Sequence, residues 1–383
     1  MSEFDPITES RALKEAIVAR IQVAGAVTFR DFMAMALYEP NLGYYCSSRP
    51  LLGRDGDYLT SPEISPLFGA MAGRQLREIW ELMGSPGRFQ VVEPGAGTGR
   101  LCADILSWAT RAAPPFAGAI DYVLLDTSPA MTERQKQTLA QNHLSDTVRW
   151  APEIPHDVEG CIISNELLDA MPVHRVAVDT GRLREVFIAW DGSRLTEELR
   201  DPSTPAIAAY FAALALLPGE GCRAEVNLEA LRWVGDAAAK LKSGFMLTFD
   251  YGYEAHDLYA PWRTDGTLLC FYRHNPSTDP YARLGRQDMT AHVDFTSLRR
   301  AGEDGGLRTV GLVSQSRFLM NVGIQDALSP PAESEPDIEE YYARRRAATE
   351  LLDPGGLGRI RLLVQSRGVG TASLSGVAGS EHA

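Results

Sequence analysis

The chain has 383 residues, 45% of them hydrophobic, and carries a formal net charge of −13 with a sequence pI near 5.1. This length suffices for one large domain with an additional lobe, and the acidic balance argues against a nucleic-acid-binding protein. The five cysteines are far apart, without a histidine at metal-ligand spacing, so we expect neither a metal site nor a disulfide framework.

The first residues carry no sign of a targeting segment. Residues 1–10 contain three acidic side chains and no apolar core, which is not typical of a signal peptide. No apolar run in the chain is long enough to cross a bilayer. We therefore expect a cytoplasmic protein with reduced cysteines and no membrane insertion.

The N-terminal part predicts two helices and a long loop. Apolar residues recur with helical period over residues 11–23, and Thr28 can cap a second helix over residues 29–37. Residues 43–65 are rich in glycine, proline and aromatic residues without a regular period, which is typical of a structured functional loop. Within this loop, Pro62 and Glu63 come shortly before the next motif, and we expect them to fold over its ligand.

A glycine-rich turn follows the first strand of the predicted sheet. Residues 89–92 read as a buried strand that ends in Glu93. Alternate glycines follow this acid: Gly95, Gly97 and Gly99. Glycines let a backbone approach a ligand closely, and the next helix supplies free N–H groups. A dinucleotide-binding turn would need glycine where Arg100 stands, so that fingerprint is absent.

The spacing Glu-x-Gly-x-Gly-x-Gly is similar to the first motif of class I S-adenosylmethionine methyltransferases. In that class a sulfonium cofactor without phosphates lies over the turn, and the acid helps to hold its charged amino-acid end. The resemblance implies that Glu93 and residues 95–99 contact such a cofactor.

The second and third strands also end in polar residues. Residues 120–125 form a buried strand followed by Asp126, and an acid at this place accepts hydrogen bonds from ribose hydroxyls. The alternative is that Asp126 caps the helix over residues 129–143, for which Ser128 is better placed. A short strand over residues 147–150 is followed by Glu153, where the adenine edge would lie.

The fourth strand, residues 160–164, leads into the candidate catalytic residues Asn165, Glu166 and Asp169. Carboxyl ends of strands next to the switch in strand order line the ligand crevice of an open parallel sheet. The alternative for these residues is helix capping together with a solvated acid.

The sequence after Asp169 predicts a hairpin over residues 173–190, a fifth strand over 244–250 and two last strands over 307–313 and 359–364. We expect five segments along the chain, the last of them disordered. They are an N-terminal lobe covering the cofactor (1–84), a cofactor-binding half (85–172), an insertion (173–226), a second half of the fold (227–367) and a tail (368–383).

Six motifs occur in one order over most of residues 25 to 365. They are Gly43-Tyr44-Tyr45, the stretch from Gly56 to Ser65, Glu93-x-Gly95-x-Gly97, Asn165-Glu166-x-x-Asp169-x-x-Pro172, Asp250-Tyr251-Gly252 and the stretch from Thr290 to Phe295. Together they resemble the MidA family of class I methyltransferases. In two places the chain departs from the family: Asp126 stands where the family usually has Glu, and the region around Gly356 matches loosely.

The resemblance implies an α/β fold with a mostly parallel, Rossmann-like, seven-stranded sheet, an N-terminal lobe and an insertion lobe. It implies S-adenosylmethionine as cofactor, with S-adenosylhomocysteine as product. Mitochondrial members of the family are protein arginine methyltransferases that act on a subunit of respiratory complex I, so the resemblance implies a protein substrate and arginine as acceptor. The implied cofactor contacts are Glu93, Gly95, Ala96, Gly97, Thr98, Gly99, Asp126, Thr127, Ser128, Pro62, Glu63 and Glu153.

Two other functions stay open from the sequence. A small-molecule O-methyltransferase needs a general base near a hydroxyl group, and His174 or His292 is a candidate. An assembly factor that binds the cofactor without turnover would use the insertion and the N-terminal lobe as its binding surface.

Overall fold

The computed structural model describes residues 10–46, 53, 56–328, 338–371 and 373–380. Parts of the expected loop, residues 47–52 and 54–55, lie outside the described residues. The chain forms two compact units. The sheet unit consists of Leu59–Leu167, Trp233–Tyr251 and Leu298–Ala383, and the lobe unit consists of Met1–Tyr58, Leu168–Arg232 and Gly252–Ser297. The five expected segments stay a prediction.

Seven strands form the central sheet of the sheet unit. They are β1 (Phe89–Pro94), β2 (Ile120–Leu125), β3 (Val148–Trp150), β4 (Val158–Asn165), β5 (Leu241–Asp250), β6 (Arg308–Ser314) and β7 (Arg361–Arg367). Their order is β6-β7-β5-β4-β1-β2-β3, and only β7 runs antiparallel to its neighbours. The expected α/β fold with a mostly parallel seven-stranded sheet is therefore confirmed.

The strand order reverses between β1 and β4, which pair directly at Val92 and Ile162. From β1 the chain proceeds outward through β2 to β3, and then returns to β4 on the other side of β1. Loops that leave two such strands diverge, so a crevice opens at their carboxyl ends. The topology thus puts the ends of β1 and β4 at the place where ligands bind in open α/β sheets.

Apolar side chains on one face of the sheet pack against the flanking helices. The Phe249 ring on β5 lies 5.4 Å from the Phe68 ring and 5.2 Å from the Phe318 ring, and all three side chains are fully buried. Burying one such ring stabilises a fold by roughly 2–3 kcal/mol, and edge-to-face pairs add to this. This core holds β5 beside β4 and so positions the crevice.

Capping serines begin two helices of the sheet unit, and the sequence had indicated the cap at Ser128. Ser65 Oγ accepts a hydrogen bond from the Leu67 N–H, and Ser128 Oγ accepts one from the Met131 N–H. The helices within this unit are Ser61–Ile64, Pro66–Leu82, Arg100–Ala112, Pro114–Ala119, Pro129–Gln141, Gln315–Asn321 and Ile338–Leu352. The 3₁₀ turns are Ser145–Thr147, Asp326–Leu328, Leu357–Arg359 and Ser375–Val377. Two further helices, Leu228–Lys240 and Phe295–Asp304, contain residues of both units.

The C-terminal tail is a correction to the sequence analysis. We expected residues 368–383 to be disordered, but the side chains of Leu374 and Val377 are buried in the core of the sheet unit. Glu78 accepts hydrogen bonds from the Ser375 N–H and hydroxyl at 2.9 and 2.5 Å. The small and polar composition of the tail concealed these contacts. Residues 372 and 381–383 lie outside the described part of the chain.

The lobe unit contains a five-stranded antiparallel sheet. Its expected hairpin is confirmed, with Asp179 paired to Arg182 across the turn. The strands of this sheet are Val27–Thr28, His174–Asp179, Arg182–Trp190, Leu195–Arg200 and Arg223–Val226. Shorter strands are Gly252–Tyr253, Leu269–Tyr272, Asn275–Ser277, Asp288–Thr290 and Val293–Asp294. The helices of the lobe unit are Arg11–Ala24, Phe29–Tyr38, Pro205–Leu214 and Ala255–Leu258, and a 3₁₀ turn lies at Tyr44–Cys46.

Candidate functional site

The glycine turn after β1 has left-handed backbone at each of its three glycines. The φ angles are +66° at Gly95, +51° at Gly97 and +78° at Gly99, a region that side chains disfavour. A Cβ atom added at Gly95 would lie 2.6 Å from Leu167 Cδ1, so the end of that side chain would have to move. The turn therefore exposes bare backbone at the switch in strand order, directly before the helix Arg100–Ala112.

Glu93 is the last residue but one of β1, and it is buried. Its Oε2 accepts a hydrogen bond of 2.5 Å from the Tyr122 hydroxyl on β2. Burial raises the pKa of Glu93 to about 8, against a smaller lowering effect of the Tyr122 hydroxyl. A cationic ammonium at this carboxyl group would favour its ionised form. Glu93 is thus a carboxyl group whose charge depends on what binds beside it.

Asp126 follows β2 and is held from both sides. Its Oδ1 accepts a hydrogen bond of 2.8 Å from the Ser128 N–H, and its Oδ2 accepts one of 2.9 Å from the Gln135 side-chain amide. Burial raises its pKa to about 6, and both hydrogen bonds oppose that rise. Because Ser128 caps the following helix, capping does not account for Asp126. The carboxylate keeps acceptor capacity for a vicinal diol.

The short helix Ser61–Ile64 makes hydrogen bonds to the glycine turn after β1 and to Glu166, the first residue after β4. Glu63 Oε1 accepts a hydrogen bond of 2.5 Å from the Thr98 hydroxyl in the glycine turn. The Ser61 N–H donates to Glu166 Oε1 at 3.2 Å, and the Ser61 hydroxyl donates to Gln315 Oε1 at 2.9 Å. Glu63 is therefore next to the glycine turn within the sheet unit, and Pro62 is buried in the same short helix.

Glu166 stands directly after β4 with a left-handed backbone, at φ +48°. For a residue with a side chain this conformation costs about 1–3 kcal/mol, and it persists only where surrounding contacts impose it. The Glu166 N–H donates a hydrogen bond of 2.8 Å to the Phe249 carbonyl. Glu166 Oε1 also accepts a hydrogen bond of 3.0 Å from Asn165 Nδ2. Asn165 Oδ1 is buried and has no hydrogen-bond partner within the described structure. The turn thus presents an oriented carboxylate beside an unused acceptor.

The remaining predicted residues occupy varied positions. Ala96 packs in the core of the sheet unit and Thr127 is exposed. Glu153 is exposed, and Lys240 Nζ lies 2.7 Å from its carboxylate. Asp169 belongs to the lobe unit, where it is buried and its carbonyl accepts a hydrogen bond from the Ala291 N–H. The assignment of each residue to cofactor or catalysis stays a prediction.

Sequence analysis missed Gln135, a fully buried side chain on the helix Pro129–Gln141. A signal was present, because Gln135 lies between Met131 and Leu139 at intervals of four residues. A polar residue on the apolar face of an amphipathic helix needs hydrogen-bond partners inside the fold.

Two further features concern the described ranges of the chain. No group of three or more His, Cys, Asp or Glu side chains is arranged to hold a metal ion. No helix there is both long and apolar enough to span a bilayer.

The strand order, the single antiparallel strand and the acid-plus-glycine turn after β1 define a class I S-adenosylmethionine-dependent methyltransferase. Residues 71–313 match the family described as "Putative S-adenosyl-L-methionine-dependent methyltransferase". The chain belongs to this family, and its cofactor is S-adenosylmethionine. The residues present suit that cofactor, because the turn leaves bare backbone and Glu93 offers a buried carboxyl group for an ammonium.

Known relatives extend the likeness over almost the whole chain. A crystal structure from Burkholderia thailandensis, a COG1565 superfamily member bound to S-adenosyl-homocysteine, has a TM-score of 0.89 and 32% identity, covering 99% of this chain and 98% of that one. The Drosophila melanogaster protein arginine methyltransferase NDUFAF7 homolog, mitochondrial, is 31% identical over 95% of this chain and 86% of its own length. The Mus musculus NDUFAF7 protein is 30% identical over 80% and 73%.

The relatives also correct one expectation. We expected a cytoplasmic protein from the absence of a recognisable targeting segment, but the curated relatives from fly, mouse and human are mitochondrial by name. The cytoplasmic assignment was wrong on this comparison. Composition and the first ten residues did not carry that information.

Proposed function

We propose that this methyltransferase transfers the methyl group of S-adenosylmethionine to arginine side chains of a protein substrate. The observation that carries the proposal is Glu166, a glutamate held in left-handed backbone at the carboxyl end of β4. A strained residue at a ligand crevice is evidence for a functional side chain, because glycine would otherwise be the stable choice. The names of the curated relatives support arginine as the acceptor.

Arginine as acceptor explains why carboxylate and amide oxygens would be needed. A guanidinium group is charged at every physiological pH and binds carboxylates through paired N–H donors. Glu166 Oε1 is oriented by the Ser61 N–H and by Asn165, and Asn165 Oδ1 is an unused buried acceptor. We assign Glu166 to the grip on the guanidinium and Asn165 to its orientation. Asp169, in the lobe unit, stays a candidate catalytic residue.

The reaction is an in-line displacement, in which most of the protein's contribution is orientation of the two reactants. When bound, the cofactor supplies an electrophilic methyl group on a sulfonium. The acceptor nitrogen forms the new N–C bond as the C–S bond breaks, the sulfur keeps that electron pair as a thioether, and the nitrogen loses one proton. A carboxylate that accepts hydrogen bonds from the guanidinium N–H groups orients the attacking nitrogen and is the acceptor for the one proton that this nitrogen loses.

The remaining roles concern the cofactor. We assign Glu93 to its amino-acid end, Asp126 to the ribose diol and the bare backbone of residues 95–99 to close contact. The hydrogen bond between Glu63 and Thr98 supports a role for the short helix Ser61–Ile64 beside the turn.

The test is transfer of labelled methyl from S-adenosylmethionine to proteins and arginine-containing peptides, with methylarginine identified by mass spectrometry. We expect Glu166→Gln to reduce transfer by about 100-fold or more while S-adenosylhomocysteine affinity changes by less than about fivefold. The matched control is Glu159→Gln, an exposed glutamate at the other end of β4. It should behave like the wild type.

Three other results would contradict the proposal in different ways. Loss of S-adenosylhomocysteine binding in Glu166→Gln would move this residue into the cofactor site. Methylation of a hydroxyl on a small molecule, without methylarginine, would favour an O-methyltransferase. Tight cofactor binding without any turnover over a whole proteome would favour an assembly factor.

A further inference from the structure

One buried amide connects the carboxyl ends of three adjacent strands of the sheet. Gln135 is fully buried, and its Nε2 donates to the Asp126 carboxylate at 2.9 Å and to the Gly97 carbonyl at 3.1 Å. Its Oε1 accepts a hydrogen bond of 2.9 Å from the Trp150 indole N–H. Gly97 follows β1, Asp126 follows β2 and Trp150 ends β3. A single side chain therefore contacts one residue at the carboxyl end of each of these three strands.

The chemistry of the partners fixes the orientation of this amide. Both acceptors face the NH₂ group, and the only donor, an indole N–H, faces the oxygen. A flipped amide would place oxygen against oxygen and NH₂ against N–H, losing all three hydrogen bonds. The amide can therefore hold the Asp126 carboxylate and the Gly97 carbonyl only in the arrangement observed.

The close packing between Gly99 and Gln135 also supports the link between this amide and the glycine turn. A Cβ atom added at Gly99 would lie 3.2 Å from the Gln135 Cα atom and 3.3 Å from its Cβ and Cγ atoms. The last glycine of the turn thus gives the helix Pro129–Gln141 room to approach, so that the Gln135 amide reaches Gly97. Removing that amide would release the turn and the carboxylate together.

We infer that Gln135 is a positioning residue of the cofactor site, which orients the Asp126 carboxylate towards the ribose diol and holds the backbone of the glycine turn in place. The inference deepens the proposed function, because it rests on the assignment of Asp126 to the ribose. Gln135 acts through its neighbours and is not a catalytic residue. Its hydrogen bond favours the charged form of a carboxylate that burial would otherwise neutralise.

The test begins with Gln135→Met, which keeps the length and volume of the side chain but removes the amide. Calorimetric titration with S-adenosylhomocysteine should show about 10- to 100-fold weaker binding, the range for loss of a hydrogen bond to a charged group. Gln137→Met, on the exposed side of the same helix, is the matched control and should bind within about twofold of the wild type.

A double-mutant cycle separates positioning from a general structural effect. If Gln135 acts through Asp126, Gln135→Met should weaken binding by less than about threefold once Asp126→Asn is present. Equal losses in both backgrounds would overturn the inference, and so would a Gln135→Met variant that binds like its control. If Asp126→Asn leaves binding unchanged, the inference falls with its premise, while methyl transfer by the wild type still stands.

The pH dependence supplies a readout that a merely structural role would not move. With 5′-methylthioadenosine, which has the ribose diol but no amino-acid end, wild-type binding should weaken as Asp126 becomes protonated near pH 6. In Gln135→Met the midpoint of this change should lie at higher pH, because the carboxylate has lost a hydrogen bond that favours its charge. An unchanged midpoint would contradict the inference even if the variant binds more weakly.

Discussion

Two turns at the carboxyl edge of the sheet both contain left-handed backbone, but they differ in the residue type that adopts it. After β1, the chain turns through left-handed backbone at Gly95, Gly97 and Gly99. After β4, it turns through left-handed backbone at Glu166, where the side chain makes that conformation unfavourable. The first turn is relaxed and bare, and the second is strained and carries a carboxylate.

The difference indicates what each turn contributes. A cofactor that packs against backbone needs the absence of Cβ atoms, and glycine supplies this without strain. The proposed guanidinium acceptor needs a carboxylate at a defined place, which would explain why a side chain is kept there despite its cost. The hydrogen bonds from the Glu166 N–H to Phe249 and from the Ser61 N–H to Glu166 Oε1 stabilise the second turn. Variants that add a side chain to the glycine turn, or remove the side chain of Glu166, test this comparison.

The largest effect is expected from adding a side chain to the relaxed turn. Gly95→Val combines an unfavourable φ of +66° with a contact of 2.6 Å to Leu167, so S-adenosylhomocysteine binding should weaken by about 100-fold or more. Calorimetry measures this, with circular dichroism as a check on folding. The control is Gly118→Val, an exposed helical glycine with open space at its Cβ position. Equal binding by Gly95→Val and wild type would show that the turn is not the cofactor contact.

The next effect concerns the acid that precedes the relaxed turn. Burial raises the pKa of Glu93 to about 8, so in its proposed role this acid must lose a proton to receive the ammonium of the cofactor's amino-acid end. Below pH 8 binding therefore releases a proton, and S-adenosylhomocysteine affinity should rise by up to about tenfold per pH unit between pH 6.5 and 7.5. Calorimetry in buffers of different ionisation enthalpy counts the released protons.

The control for this prediction is the ligand itself. 5′-Methylthioadenosine lacks the amino-acid end, so its affinity should hardly change over the same interval. Glu93→Gln should remove the pH dependence for S-adenosylhomocysteine. A similar pH dependence for both ligands would assign the titration to a group other than Glu93.

The smallest effect measures the strain in the second turn. Glu166→Gly and Glu166→Ala both lose the carboxylate, but only glycine accepts φ +48° without strain. The glycine variant should therefore have a free energy of unfolding about 1 kcal/mol higher than the alanine variant, measured by urea titration. The control pair at Glu159 lies within β4, where glycine should be less stable than alanine. The same sign at both positions would show that Glu166 is not strained.

Local sequence determined much of the fold and half of the site. The buried strands, the capping serines Ser65 and Ser128 and the alternate glycines depend on neighbours within a few residues, so spacing alone reveals them. The positions of Glu93 and Asp126 at strand ends follow from the same patterns. The class I methyltransferase and its cofactor followed from the resemblance of the acid-plus-glycine motif to that class.

Tertiary structure alone decided the contacts between distant residues. The left-handed backbone of Glu166 depends on β5 and the short helix before Pro66, and no sequence pattern shows φ at a non-glycine residue. The hydrogen bonds that join Gln135 to the ends of three strands depend on long-range burial. The packing of the tail residue Leu374 in the core depends on it as well. Such contacts arise only when the whole core has assembled, because each partner is selected by the space and polarity that other segments leave.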